Sequence, residues 1–157
     1  MKATKLSATI ENKVARFNYI IEETFIAGII LTGPEVCSLR LGMANINDGW
    51  CYVTNDEKDI YIKNMHITSH TNANNSFVSF DENAERKLLL TKAEIKKLAK
   101  ATSTKGMTIV PLKVYRSDNG LYKVLIGLAK GKKDYDKRET IKERDITREL
   151  SRTMKIY

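Results

Sequence analysis

Several features that are common in enzymes and membrane proteins are missing from this 157-residue chain. Its two cysteines, Cys37 and Cys51, do not form a Cys-x-x-Cys pair, and His66 and His70 stand apart from both in the sequence. A zinc site needs four ligands at close spacing. The sequence therefore predicts no metal site. It indicates that both cysteines serve as small apolar residues and remain reduced in a reducing compartment.

Long apolar runs are also absent. No stretch approaches the ~20 apolar residues that are needed to span a bilayer. The first twelve residues, MKATKLSATIEN, lack the apolar centre of a signal peptide. The sequence therefore predicts a soluble, cytoplasmic protein with no membrane partner.

Motifs of nucleotide-binding and hydrolytic enzymes are missing as well. There is no G-x-x-x-x-G-K-[ST] loop, no G-x-G-x-x-G segment after a strand and no G-x-S-x-G elbow. Residues 129–133 lack the first Gly and the Ser or Thr of a phosphate-binding loop. One enzymatic alternative is a thiol of Cys37 or Cys51 with His66 as its base, which predicts activity sensitive to thiol alkylation. We expect no enzymatic activity and no cofactor.

Positive charge is in excess, and it is spread over the whole chain. The net charge is +8, of which residues 130–157 and the remainder each carry +4. The tail, residues 130–157, has ten basic and six acidic residues and no Gly or Pro after Gly131. Such a segment is too polar to bury a core, yet it favours a helix once its charge is neutralised. RNA is the leading candidate for the anionic partner.

The rest of the chain has the pattern of a mainly β body. Alternating or β-branched segments predict strands at residues 17–23, 25–31, 50–54, 60–63, 86–90, 107–116 and 121–129. Ala27-Gly28 marks a bend or bulge, and Pro111 predicts an edge position or a bulge. We expect residues 1–12 to be loose and residues 70–83 to form a surface loop.

Two short helices are predicted by signals at their ends. Pro34 and Glu35 suit the first turn of a helix that Gly42 ends. Thr91 and Glu94 form a capping box before the second helix. Because there is no repeat and no βαβ rhythm, the pattern favours a small, mostly antiparallel barrel or sandwich with helices at its ends. An OB-like barrel is one of several options.

A tail helix from about Lys137 would carry two stripes of side chains. One stripe is basic and has members at i, i+4 and i+8: Arg144, Arg148 and Arg152. The stripe on the opposite side is apolar: Ile146, Leu150 and Met154. An isolated helix of this length is marginal in water, so we expect the tail to become helical when it binds RNA. The alternative is an amphipathic helix packed on the barrel.

The order of several motifs along the chain resembles the SmpB family, whose members bind tmRNA and carry it to stalled ribosomes. The matching segments are N-K-x-A-R-x-x-Y (12–19), I-E-E-x-F-x-A-G-I (21–29), L-x-G-x-E-V-x-S-L-R-x-G-x-A-N-I-x-D (31–48), N-M-H-I (64–67), R-K-L-L-L (86–90), V-P-L-K-V-Y (110–115) and A-K-G-K-K-x-Y-D-K-R-x-x-I-K-E-R (129–144). The resemblance implies that residues 1–129 form an OB-like barrel with two short flanking helices, which binds the tRNA-like domain of tmRNA. It implies that residues 130–157 form a tail that enters the decoding centre and mRNA channel of the small ribosomal subunit and becomes helical there. We expect a monomer.

Charge and the resemblance together predict two sets of RNA-binding residues. The set in the body would bind tmRNA: Lys13, Arg16, Glu35, Arg40, Asn45, Asn64, Met65, His66, Lys87, Leu89 and Lys123. The set in the tail would bind the ribosome: Lys130, Lys132, Lys133, Tyr135, Asp136, Lys137, Arg138, Arg144, Arg148, Arg152, Met154 and Lys155. The resemblance ties Leu89 and Lys123 to tmRNA and gives Tyr135 a stacking role near the decoding centre.

Four positions depart from the family pattern. Ile26 stands where Glu is common, which removes one family RNA contact; Cys37 and Met43 each stand where Lys is usual, and Trp50 stands where Tyr is usual. A rival interpretation is a general single-strand RNA-binding OB protein, which predicts exposed aromatic side chains for base stacking. Only 8% of the residues are aromatic, which favours the first interpretation.

Overall fold

The computed structural model describes residues 9–69, 81–132 and 134–155. In the last of these ranges, the side chains it describes are those of Arg138 and residues 141–152. The strands are β1 (Ile10–Glu11), β2 (Tyr19–Ile29), β3 (Ala44–Asn45), β4 (Trp50–Val53), β5 (Ile60–Lys63), β6 (His66–Ile67), β7 (Arg86–Leu89), β8 (Met107–Arg116) and β9 (Tyr122–Gly131). The helices are α1 (Ala15–Asn18), α2 (Gly33–Arg40), α3 (Lys92–Thr102) and α4 (Asp134–Lys155).

Seven strands form one antiparallel sheet that closes on itself. Their order is β1-β8-β4-β5-β7-β2-β9, and β8 also pairs with β9, which completes the barrel. The strands β3 and β6 form a separate two-stranded ladder beside it. This arrangement confirms the predicted mainly β fold with an OB-like barrel. Closure leaves no long unpaired edge along the longest strands.

The core lies inside the barrel, where one side of each strand is apolar. In β5, for example, Ile60 and Ile62 are buried while Tyr61 and Lys63 are partly exposed. The largest fully buried side chains are Leu39, Ile46, Ile60, Ile62, Met65, Ile67, Leu88, Leu98, Ile109, Val110, Val114 and Ile126. Each such side chain contributes about 1.5–3 kcal/mol through its removal from water. This burial is what orders the body.

Two predictions near the N-terminus of the body were wrong. Residues 10 and 11 are not loose, because Ile10 and Glu11 pair with Val114 and Lys113 of β8. The two strands predicted at 17–23 and 25–31 are one continuous strand, β2, preceded by the unpredicted helix α1. The long partner β9 holds β2 straight through Ala27-Gly28, and the register shift lies between Ile21 and Glu23 instead.

The other local signals are confirmed. Pro34 lies in the first turn of α2, and Gly42, with φ of 72°, follows its end. The Thr91 hydroxyl accepts a hydrogen bond from the Glu94 amide at 3.3 Å at the start of α3. A register shift between Pro111 and Lys113 is the bulge that the proline predicted.

The end of the barrel and the start of the tail differ from the prediction by a few residues. The strand β9 continues to Gly131, and Lys130 pairs with Ile20 and Met107 inside the sheet. Therefore Lys130 belongs to the barrel rather than to the tail. Helix α4 begins at Asp134, earlier than Lys137. No helix of the described residues is long and apolar enough to cross a membrane.

Candidate nucleic-acid interface

The two body positions that the resemblance ties to tmRNA lie on one outer face of the barrel. Gly28 of β2 pairs with Leu89 on one side and with Lys123 on the other. Because directly opposed residues of a sheet point to the same face, Leu89 and Lys123 flank the glycine. A Cβ atom at Gly28 would come 3.3 Å from the Leu89 Cβ atom. A side chain at position 28 would therefore press on Leu89, and the glycine lets Leu89 and Lys123 lie on either side of bare backbone.

Beside this bare backbone lies a shallow apolar depression. Its lining residues come from β2, β7 and the start of α3: Ile26, Leu89, Leu90, Thr91 and Glu94. The side chain of Ile26 is 57% exposed and that of Leu89 is 51% exposed. Although Ile26 replaces the acidic residue common in the family, the Glu94 carboxylate lies in the same depression. Apolar surface next to cations can support a base or ribose while lysines hold phosphates.

A polar cleft is formed where β3 and β6 pair. Its lining consists of Asn45, Asp48, Asn64, His66 and Asn83. Asn45 lies opposite His66 in the ladder, and Asn64 has φ of 57° at the turn before it. The His66 Nδ1 atom is 2.9 Å from the Asn83 Oδ1 atom. Amides and an imidazole offer both donors and acceptors to base edges and 2′-hydroxyls.

An acidic side chain closes the other side of His66. The Glu82 Oε2 atom lies 3.5 Å from the His66 Nε2 atom. The amide and hydroxyl of Ser69 each donate to Glu82 at 2.8 Å. These two hydrogen bonds, with a smaller effect of His66, lower the pKa of Glu82. Asn83 and Glu82 therefore face the two nitrogens of the His66 ring.

Two of the predicted tmRNA-binding side chains are buried and cannot reach RNA. Glu35 is 6% exposed and Met65 is fully buried. The Glu35 carboxylate accepts a hydrogen bond from Arg86 in a buried ion pair and accepts another from the Thr32 amide at 3.0 Å. The structure therefore assigns Glu35 and Met65 a structural role.

Arg86 connects three segments that surround the polar cleft. Its guanidinium donates to Glu35 of α2, to the Met65 carbonyl at 2.7 Å and to the Ala84 carbonyl at 2.9 Å. It also reaches the carbonyls of Asp81 and Glu82, both at 3.3 Å. The buried ion pair thus fixes the backbone on both sides of the polar cleft, next to Asn64, His66 and Asn83. Sequence reasoning missed Arg86, although its alternation with buried Leu88 in β7 was a signal that it points inward.

Two further body candidates, Arg40 and Lys87, line neither of these clefts. Arg40 lies exposed in the last turn of α2 and lines none of the clefts. The Lys87 amine forms an ion pair with Asp59 at 2.9 Å, which raises the pKa of Lys87 and neutralises part of its charge. Lys87 lies two residues before Leu89 in β7 and points to the same outer face, although it does not line the depression there.

A basic cleft lies where the tail helix meets the barrel. Its lining consists of Glu11, Asn12, Lys13, Arg16, Leu112, Lys113, Leu125 and Arg144. Two of these residues, Lys13 and Arg16, were predicted to bind tmRNA, and Arg144 was predicted to bind the ribosome. Sequence reasoning missed Lys113 because the β1–β8 pairing that brings it beside Glu11 has no visible pattern.

Asn12 holds the segment that contains Lys13 and the start of helix α1, on which Arg16 lies. Its amide nitrogen donates to the carbonyls of Ile46 at 3.1 Å and Pro111 at 2.8 Å. Its amide oxygen accepts hydrogen bonds from the backbone of Val14 and Ala15. All of these partners are backbone groups, so the position of Asn12 does not depend on which side chains its neighbours carry. The helix α1 is anchored to the barrel from its first turn.

The tail helix presents its described side chains to solvent. Arg138 and residues 141–152 are exposed, including Ile146 at 58% and Leu150 at 59%. The alternative of an apolar stripe packed on the barrel is therefore wrong for these residues. The side chains of Tyr135, Asp136, Lys137, Met154 and Lys155, and the whole of Lys133, lie outside the described residues.

The start of the tail is joined to α1. The Lys132 backbone amide donates to the Asn18 carbonyl at 2.9 Å, and its side-chain amine donates to the Arg16 carbonyl at 2.9 Å. Farther along the tail, the Arg144 guanidinium lies 5.6 Å from the centre of the Phe17 ring. These contacts set the direction in which α4 leaves the barrel.

The two cysteines lie in different surroundings. Cys51 is buried inside the barrel, and burial raises the pKa of its thiol, which disfavours the thiolate. Cys37 is exposed on α2. Within the described ranges, no group of three or more His, Cys, Asp or Glu side chains could hold a metal ion.

A partly exposed aromatic cluster lies on β4 and β5. The rings of Tyr52 and Tyr61 stack at 5.9 Å, and Trp50 lies 5.8 Å from Tyr52. The Lys63 amine is 4.9 Å from the centre of the Tyr52 ring and also pairs with Glu85 at 3.1 Å. Sequence reasoning did not foresee this cluster, which appears only when Tyr52 and Tyr61 are paired across the strands.

Comparison with known proteins gives one consistent result. A sequence model of the SmpB protein family matches residues 9–156. An SsrA-binding protein of Flavobacterium johnsoniae is 46% identical over 96% of this chain and 97% of its own length. The SsrA-binding protein of Ligilactobacillus salivarius is 50% identical over 98% of this chain and 96% of its own. A solved structure described as "tmRNA-SmpB: a journey to the center of the bacterial ribosome" shares 38% identity and a TM-score of 0.67, covering 85% of this chain and 94% of that one.

Proposed function

The chain belongs to the SmpB protein family, and from that premise we propose which of its surfaces do the work of a tmRNA-binding adaptor. The protein binds tmRNA and acts with it on the ribosome in trans-translation. The observation that carries this conclusion is the family match, which extends over nearly the whole chain, barrel and tail together. The barrel binds the tRNA-like domain of tmRNA, and the tail binds the ribosome.

The face around Gly28 is the main contact with the tRNA-like domain. Leu89 and Lys123 flank the glycine, so an RNA strand can approach the backbone closely between them. The lysine provides a phosphate contact, and the exposed leucine provides apolar support for a base or ribose. The polar cleft around His66 reads base edges or 2′-hydroxyls through its amides.

The tail acts on the small ribosomal subunit. Its helix displays Arg144, Arg148 and Arg152 at intervals of four residues, a spacing suited to successive phosphates. Ile146 and Leu150 are exposed on the other side, where a partner can cover them. The decoding centre and the empty mRNA channel offer such a surface of RNA. In the sequence, the boundary between the tmRNA-binding part and the ribosome-binding part lies just after the end of β9.

The protein works as an adaptor without catalytic activity of its own, and it works in the cytoplasm. Its family is one of RNA-binding proteins. The buried thiol of Cys51 favours the neutral form, which is a poor nucleophile. Cys37 is exposed but lines none of the clefts, so an alkylating reagent that modifies it should leave tmRNA binding unchanged.

The proposal is tested by competition between two RNAs at physiological salt. The tRNA-like half of tmRNA and an ordinary tRNA of similar length compete for the full-length protein. A strong preference for the tRNA-like half is expected, because shape and positioned contacts add to charge. Equal binding that fades for both RNAs as salt rises would mean that the net charge of +8 alone is at work.

One observation favours a second candidate, general binding of single-stranded RNA. The cluster of Trp50, Tyr52 and Tyr61 is a partly exposed aromatic surface with Lys63 beside it. Such surfaces stack bases with little sequence preference. However, Glu85 holds both Tyr52 and Lys63, which reduces the positive charge there. If this candidate is right, Tyr52→Ala weakens binding of both competing RNAs equally.

A further inference from the structure

The basic cleft between barrel and tail joins residues from both predicted sets. Lys13 and Arg16 belong to the segment that Asn12 anchors, Lys113 belongs to β8, and Arg144 belongs to α4. We propose that this cleft binds one phosphate group of the bound RNA, and that the phosphate clamps the tail helix to the barrel. This inference rests on the proposed tmRNA binding and adds a site shared by body and tail.

The charges of the cleft are unbalanced. Its lining holds four cationic side chains and one carboxylate, that of Glu11. Among the described residues, no ion pair within 4.0 Å involves Lys13, Arg16 or Arg144. The Lys113 amine lies 5.8 Å from the centre of the Tyr115 ring, and Lys113 is paired across the strands with Glu11, the carboxylate of the lining. Like charges brought together repel one another, so an anion in the cleft stabilises this arrangement.

The chemistry of the lining fits a phosphate oxygen cluster. Arg16 and Arg144 approach from two sides, and guanidinium groups bind phosphate through paired N–H donors. The Phe17 ring lies against the Arg144 guanidinium and leaves the donors at its edge available. Leu112 and Leu125 form an apolar wall, which limits hydration of the bound group. The two lysines add charge without demanding a fixed geometry.

A clamp of this kind links RNA binding to the direction of the tail. Without a ligand, α4 is held on the body by the Lys132 contacts and by the ring contact of Arg144. A phosphate between Arg16 and Arg144 adds a bridge farther along the helix. Because such coupling is reciprocal, the free energy by which bound RNA stabilises this orientation of the tail equals the free energy by which the oriented tail strengthens RNA binding. The tail would then leave a tmRNA-bound barrel along a defined path.

The first test compares two variants of the full-length protein that lose one positive charge from α4. Arg144→Ala removes a lining residue, and Lys142→Ala removes an exposed charge two residues away, on the opposite side of the helix. Binding of the tRNA-like half of tmRNA is measured from low to high salt. Arg144→Ala should weaken it about tenfold and reduce the log–log salt slope by ~0.7–0.9, the share of one phosphate. Lys142→Ala should leave both quantities within twofold of wild type.

A double variant tests whether body and tail hold the same phosphate. Because Lys113→Ala and Arg144→Ala would remove two contacts to one group, the double variant should lose less affinity than the two single losses combined. Lys105→Ala, an exposed lysine outside the cleft, should combine additively with Arg144→Ala. If the losses of affinity from Lys113→Ala and Arg144→Ala also add up in the double variant, the shared phosphate is ruled out.

A small probe separates the site from the rest of the RNA. Inorganic pyrophosphate is titrated into the full-length protein while the side-chain N–H signals of Arg16 and Arg144 are followed by NMR. Both should shift together and saturate at one concentration, and Arg152 should not follow them. The inference is overturned if the two signals do not saturate together, or if Arg144→Ala behaves like Lys142→Ala while wild type binds tmRNA. If wild type itself fails to prefer the tRNA-like half, the proposed function fails instead.

Discussion

The barrel and the tail helix keep their structures by different means. In the barrel, Ile126 and Leu88 are almost fully buried, and strands far apart in sequence pair along their length. In the tail, Leu150 and Ile146 are more than half exposed although they belong to a long helix. The barrel therefore gains its order from tertiary burial within the chain. The tail helix buries none of its described side chains, and besides its local interactions it touches the body through Lys132 and through the contact of Arg144 with Phe17.

Those local interactions explain why the tail is helical without a core. The segment has no Gly or Pro after Gly131 and is rich in good helix formers. Acid–base pairs such as Asp145 with Arg148 and Glu149 with Arg152 lie three residues apart, and each adds about 0.2–0.5 kcal/mol to a helix. The sum is marginal for an isolated helix in water. A tail of this kind is suited to fold onto a charged surface.

The largest effect on stability is expected at the buried ion pair of the barrel. Arg86→Ala leaves the Glu35 carboxylate buried without its partner, and it leaves the Met65 and Ala84 carbonyls without a donor. Loss of one member of such a pair costs about 3–5 kcal/mol. Urea unfolding measures this loss. The double replacement Glu35→Leu with Arg86→Met is the control and should recover a large part of it, because no charge is left unpaired.

A pair of apolar truncations compares the two regions directly. Ile126→Ala creates a cavity in the barrel and should lower the free energy of unfolding by about 2–5 kcal/mol. Leu150→Ala removes an exposed side chain and should change it by less than about 0.5 kcal/mol. Thermal or urea unfolding of the two variants gives both values. A large loss for Leu150→Ala would show that the tail packs on the barrel in solution.

The next effect concerns RNA binding rather than folding. Lys123→Ala should weaken binding of the tRNA-like half and lower its log–log salt slope by ~0.7–0.9, because one phosphate contact is lost. The barrel should remain as stable as wild type, since Lys123 is partly exposed. Filter binding or fluorescence anisotropy over a range of salt gives the slope. An unchanged slope would mean that Lys123 does not contact the phosphate backbone.

The smallest effect is a shift in the pKa of two side chains in the aromatic cluster. The Tyr52 hydroxyl donates to Glu85 at 2.7 Å, which raises the pKa of Tyr52 to about 12. The same hydrogen bond and the nearby Lys63 lower the pKa of Glu85. The stabilising effect of Glu85 is therefore present above its unfolded pKa and is lost as pH falls, whereas that of Tyr52 is lost as pH rises from about 10 to 12.

Tyr52→Phe should move the pKa of Glu85 upward, though not fully to its usual value, because Lys63 stays in place. The side-chain carboxyl signal of Glu85, followed by NMR as pH is lowered, measures the change. Tyr61→Phe is the control and should leave Glu85 unaffected. If Tyr52→Phe also leaves it unaffected, the hydrogen bond is absent in solution.

Local signals were sufficient to predict most of the fold. β8 and β9 have β-branched residues on both sides of a tight turn, where Gly120 has φ of 81°. Prediction failed where neighbouring strands of the sheet determine the local structure. Ile10–Glu11 is too short to show a periodic pattern, and it is a strand only because β8 lies beside it. Gly28 looked like a break, but β9 holds β2 in one piece.

The candidate site was predicted residue by residue but not as a surface. The resemblance pointed to Leu89 and Lys123, yet only the register of three strands shows that both flank Gly28. Glu35 and Arg86 are 51 positions apart, so no local pattern reveals that they neutralise each other. Glu35 was predicted to contact RNA because the resemblance matches its position to a family motif, and the ion pair that buries it could not be foreseen. Which residues of different strands and helices meet at one site depends on the topology of the fold, and spacing along the sequence does not reveal that topology.

The central claim is that the barrel binds tmRNA and the tail acts on the ribosome. It is tested most directly by ending the chain after Lys132, beyond the last strand, and measuring tmRNA affinity and peptide tagging on stalled ribosomes. We predict that affinity stays within about tenfold of wild type, the share of the single Arg144 contact, and that tagging is lost. Retained tagging by the shortened protein, or loss of tmRNA binding far beyond that of Arg144→Ala, would contradict this division of function.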